Sequence, residues 1–82
     1  MLKDTTVKTT TYTAGAFCID IVEKPDEFEA FLYHKGYGIK DLMFGSPKQQ
    51  HDGEQTFEMF LELVEANLTD YINIYREEYM GE

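Results

Sequence analysis

Residues 54–80 carry the one long apolar repeat of helical period in this chain, and that repeat constrains everything placed before it. Phe57, Phe60, Leu61, Val64, Leu68, Tyr71, Ile72, Tyr75 and Tyr79 recur three or four residues apart, a stripe along one side of a helix. The spacing predicts an amphipathic α-helix over 54–80. Asp52 followed by Gln55 reads as an N-cap, Glu54 sits where the positive end of the helix dipole favours a carboxylate, and Gly81 supplies a stop. At about 1.5 Å per residue this helix is roughly 40 Å long, more than the width of so small a domain. The expectation is that one end overhangs or that the helix breaks near Asn67 to Asp70.

A helix with one apolar stripe needs a second layer to cover it, and the preceding residues alternate as strands do. Strands are expected over 5–13, 16–23, 27–34 and 39–44. The first is threonine-rich and weakly apolar, as suits an edge, and Lys3 and Lys8 would discourage association through it. Ala14-Gly15 and Lys24-Pro25-Asp26-Glu27 are turn signals. With Lys24 facing Glu27, Ile21 faces Ala30, Ile19 faces Leu32 and Phe17 faces His34, so the apolar residues of that hairpin share one side. The other side holds Cys18 with Tyr33, Asp20 with Phe31 and Val22 with Glu29. For the fourth strand, pairing Leu32 with Lys40 brings Leu42 and Phe44 to the apolar side; a slip of one residue would bring Met43 there and turn Phe44 outward, and the first register is preferred. Ser46-Pro47-Lys48-Gln49 has the spacing of a short helical turn. The fold class is therefore α+β, an antiparallel meander of three to four strands on one long C-terminal helix.

With 82 residues, 43% of them hydrophobic and 15% aromatic, the chain makes one domain, 1–82, with a modest core, at a size where a second copy often supplies further buried surface. No apolar run approaches about 18 residues and the start Met-Leu-Lys-Asp-Thr-Thr lacks the pattern of a signal peptide, so a cytoplasmic protein that does not enter membranes is expected. The single cysteine, Cys18, excludes an internal disulfide and is expected in packing.

Chemistry is hard to find. His34 and His51 match no zinc-ligand spacing. Cys18 sits beside Asp20, whose charge disfavours a thiolate, and Gly36, Gly38 and Gly45 are followed by no phosphate-binding lysine and serine or threonine. No catalytic residue, metal ligand or cofactor is assigned, and the expectation is a protein that is not an enzyme.

Charge is the feature that bears on partners. The net charge is −9, and residues 51–82 hold nine carboxylates against Arg76 alone. Direct binding to nucleic acid, which needs cations to neutralise phosphates, is disfavoured. The favoured reading is a small acidic protein-interaction module that self-associates as a homodimer, through the second sheet side with Phe31, Tyr33 and Met43, or through an overhanging helix end with Tyr75 and Tyr79. The alternative is an acidic inhibitor or nucleic-acid mimic: Glu58, Glu62 and Glu65 recur about every turn, roughly 6 Å apart as successive phosphates are, and would engage a basic protein that binds DNA or RNA.

Overall fold

The computed structural model describes residues 6–82. Four antiparallel strands, β1 (Lys8–Ala14), β2 (Phe17–Glu23), β3 (Glu27–His34) and β4 (Asp41–Pro47), form a meander in the order β1-β2-β3-β4. A long helix, α1 (Phe57–Tyr75), lies across one side of it, centred on β3 and reaching β2 and β4. This is the expected α+β arrangement, with the strand ends shifted by up to three residues; position 5 of the expected first strand lies outside the described residues.

The central hairpin follows from its alternation. Phe17 pairs with His34, Ile19 with Leu32 and Ile21 with Ala30, and the turn is closed by the Lys24 amide donating to the Glu27 carbonyl at 2.8 Å. Ile21 and Ala30 are wholly buried beneath the helix. In the β1–β2 turn Gly15 stands at φ 63°, a conformation open to glycine and costly for residues with a Cβ.

At β4 the preferred register is not found, and the one-residue slip holds only where Leu32 pairs with Asp41 and Phe31 with Leu42. Ala30 pairs with Phe44 but Phe31 pairs with Leu42, so Met43 is an extra residue in β4. Such a bulge turns two successive side chains toward one side. Met43 is buried, Phe44 packs against the same core, and Leu42 is exposed instead of buried. The strand thus places both candidates under the helix, where an unbroken strand would have forced a choice between them.

The expected helical turn at Ser46–Gln49 is absent. β4 runs on to Pro47, and β5 (Gln49–Gln50) pairs with β6 (Gly53–Glu54) in a miniature hairpin. Glu54 therefore lies in a strand and Asp52 in its turn, and neither starts the helix. The N-cap is Thr56, whose hydroxyl accepts from the Met59 amide at 3.3 Å, while the Gln55 side chain is buried. Asp52 and Thr56 are both acceptable caps; the hairpin decides between them by consuming the residues from 49 to 54.

From Phe57 the helix is unbroken through residues 67–70, then widens to a π-helical turn at Arg76–Met80 that ends at Gly81, φ 71°. Neither end overhangs. Phe60 packs on Phe28 at 5.2 Å between ring centroids and on Phe44 at 5.4 Å, and Tyr79 and Met80 pack against the core at the far end. The loop before β4 lengthens the support: the Ile39 carbonyl accepts from the Tyr75 hydroxyl at 2.6 Å. Burying each of the larger core side chains contributes on the order of 1.5–3 kcal/mol, and these anchors run the length of the helix.

Candidate functional site

The outer side of the sheet, away from the helix, has no covering layer among the described residues. Strand alternation brings Thr11, Asp20 and Phe31 into one row and Thr13, Cys18 and Tyr33 into the next. Asp20 is nevertheless only 6% exposed. Its Oδ1 accepts from the Thr11 hydroxyl at 2.7 Å and its Oδ2 from the Lys40 ammonium at 2.8 Å, and that ammonium stands 5.1 Å from the centre of the Tyr33 ring. Burial raises the Asp20 carboxyl, but the bonds from Lys40 and Thr11 outweigh it and hold the group below its ordinary value of 3.8. The Lys40 ammonium is raised in return, chiefly by its bond to Asp20. Tyr33 is raised by burial and then by the Cys18 thiol and the Asp20 charge. Both carboxylate oxygens are occupied, so the cluster acts as a strap that ties the loop before β4 to β2.

Phe31 and Tyr33 are half-buried on this outer side. Met43, expected with them, is in the core beneath the helix because of the bulge.

The expected helix-end site is altered more. Tyr75 has no exposed surface: it meets Phe17 edge-on at 5.6 Å and bonds the Ile39 carbonyl. It cannot present a binding surface and serves as an anchor. Tyr79 is half-buried, 4.8 Å from the Tyr75 ring, and its hydroxyl is raised by burial and by the neighbouring Asp41 carboxylate.

Glu58, Glu62 and Glu65 are all exposed, as their spacing predicted, and form no ion pair with a described residue. The carboxylates that are paired lie on the sheet, where Lys48 meets Glu23 at 2.8 Å and Lys24 meets Glu29 at 2.8 Å. Among the described residues no three side chains of metal-binding type converge, and no helix is long and apolar enough to cross a membrane.

One surface was not foreseen. Because α1 is centred on β3, the helix side of β1 is left open, and a groove of about 290 Å³ runs between them. Tyr12 and Ala14 form one bank, Leu61, Glu65 and Leu68 the other, with Ile19 and Val64 at the floor. Beside it β1 pairs only with β2 among the described residues, so its other backbone edge is open. The strand pattern identifies an edge, but the groove depends on where the helix sits laterally, which periodicity does not encode.

Comparison with protein-family models, with curated proteins and with solved structures finds no match to this chain.

Proposed function

We propose that this protein is a small acidic protein-interaction module without catalytic activity, resident in the cytoplasm, that works by self-association. The observation that carries the reading is the edge of β1 beside an apolar groove: backbone donors and acceptors that no described residue pairs, next to the partly exposed Tyr12, Leu61 and Leu68, form a surface that gains from being covered. Sedimentation velocity across the micromolar range tests it. A mass that rises toward that of a dimer is expected, and a monomer at every concentration would sink it.

A second reading, the acidic inhibitor or nucleic-acid mimic, is favoured by one observation, the row of Glu58, Glu62 and Glu65 exposed and unpaired along one flank of α1. Its partner would be a basic protein that binds DNA or RNA. Capture of such a partner from host lysate should then weaken steeply with salt, since exposed charges are screened over about 8 Å near physiological ionic strength. Reversal of all three to lysine should abolish the capture; retention of every captured protein would discard the mimic.

A further inference from the structure

Deepening the self-association reading and resting on it, we infer that the partner is a second copy of this chain, joined edge to edge through β1 so that two four-stranded sheets become one of eight. The argument begins with the edges. β1 is seven residues of regular pairing, Lys8 to Ala14, without proline or bulge, whereas β4 carries the Met43 bulge, Gly45 and Pro47. Bulges and prolines spoil an edge for pairing more than a single terminal lysine does, so β1, where Lys8 was expected to discourage association, is the edge that accepts a strand.

The geometry of two identical antiparallel strands then fixes the register. Paired residues point to the same side of a sheet, so the two copies meet with residues of the same parity opposite one another. The register that uses all seven residues centres on Thr11. It sets Thr11 against Thr11, Thr9 against Thr13, Thr10 against Tyr12 and Lys8 against Ala14 of the second copy. Both helices come to lie on the same side of the joined sheet.

Charge supports this occupant over an unrelated one. Lys8 is exposed and has no ion pair with a described residue, and neither has Glu65. Ala14 and Glu65 line the same groove, so the register that places Lys8 opposite Ala14 also brings it to the groove where Glu65 stands. The two-fold axis forms this pair twice. The strongly acidic helices, by contrast, are kept apart. Each is centred on β3, and five strand spacings of about 4.8 Å separate the two by about 24 Å, roughly three screening lengths at physiological ionic strength. β1 itself contains one lysine and no carboxylate, so the strand adds no acidic repulsion where two copies of a chain of net charge −9 would meet. The shared surface is one strand edge and two groove mouths, at the small end of specific interfaces.

Sedimentation velocity of the full chain and four variants tests the pairing, with far-UV circular dichroism and thermal melting of each to confirm the fold. The double variant Thr9→Lys/Thr13→Lys sets like charges directly opposite each other across the two-fold and should be monomeric, although it lowers the net negative charge. Lys8→Glu and Glu65→Lys should each weaken the dimer by about tenfold, and the two combined should restore it to within about twofold of the parent. A parent that is monomeric throughout overturns self-association and this pairing together. A parent dimer that the lysine pair leaves intact overturns the β1 pairing alone. A dimer that the lysine pair dissociates but the charge exchange does not restore overturns the register centred on Thr11.

Discussion

β4 and β1 bound the same sheet on its two sides, and the helix treats them differently. On the β4 side the ring of Phe44 lies 5.4 Å from Phe60 and 5.9 Å from Tyr71, and the loop entering the strand is held by the Tyr75 hydroxyl. On the β1 side Leu61 and Leu68 face across a groove to Tyr12 and Ala14, and among the described residues the strand pairs with β2 alone. The two flanks differ in the side chains they turn toward the helix. The bulge at Met43 gives β4 two side chains for the helix where β1 offers Thr10, Tyr12 and Ala14 at every second position, and the helix settles where the larger apolar surface lies. The aromatic side chains of the core thus gather on the β4 flank, and the β1 flank is left with a groove.

The largest test of that contrast compares two adjacent helix residues. Phe60 is wholly buried between Phe28 and Phe44, so Phe60→Ala should cost about 3–5 kcal/mol through lost burial and a cavity. Leu61 is half-buried at the groove, so Leu61→Ala should cost distinctly less, about 1–2 kcal/mol. Chemical denaturation of both variants below the dimerisation range gives the two values, and equal losses would mean that the β1 flank is as closed as the other.

Next comes the anchor of the helix end. Tyr75→Phe keeps the ring against Phe17 and removes the bond to the Ile39 carbonyl, so a loss of about 1 kcal/mol is expected. An unchanged stability would show that the loop before β4 is held by something other than the helix.

Lys40→Met tests the strap on the outer side and carries a pH signature. The folded Asp20 carboxyl is held below 3.8, so its contribution is complete above that value and is lost as pH falls through the lower, folded one. Removing Lys40 raises the folded value. The variant should therefore be less stable than the parent at neutral pH, with the gap narrowing under acid where Asp20 is protonated in both. Denaturation curves at neutral and strongly acidic pH check this, and a gap that widens on acidification would show that Lys40 acts on some other group.

How much of this was readable beforehand differs between the same two flanks. The β2–β3 register followed from Phe17, Ile19 and Ile21 alternating against Ala30, Leu32 and His34, because a slip would have turned a complete apolar set to solvent. The helix stripe and the exposure of Glu58, Glu62 and Glu65 followed from the 3.6-residue period. The bulge was not readable, since Leu42, Met43 and Phe44 are all apolar and no local residue says which of them is the extra one. The start of the helix misled for a related reason: Ser46, Asp52 and Thr56 are each good caps, and the pairing of Gln49–Gln50 with Gly53–Glu54 chooses among them. Tyr75, expected at a protruding end, is instead the most enclosed tyrosine, its hydroxyl donating to the Ile39 carbonyl in the loop before β4. The groove was legible only in part, because an edge strand can be recognised in Lys8–Ala14 while the lateral position of the helix is not encoded in its period.

The smallest expected effect is the one that separates a surface kept for partners from a surface that is merely loose core. Tyr12 is 36% exposed on the bank of the groove and pairs with Ile19 on β2. Threonine suits a strand about as well as tyrosine does, so Tyr12→Thr should leave the stability of the isolated monomer within about 0.5 kcal/mol of the parent. In the pairing about Thr11, however, the Tyr12 ring lies against Thr10 of the second copy, so the same change should weaken the dimer measurably. Denaturation in dilute solution and sedimentation at high concentration read the two effects separately. A loss of about 2 kcal/mol or more in the monomer would place Tyr12 within the core, close the groove as a candidate interface, and remove the asymmetry between the two edges on which the pairing depends.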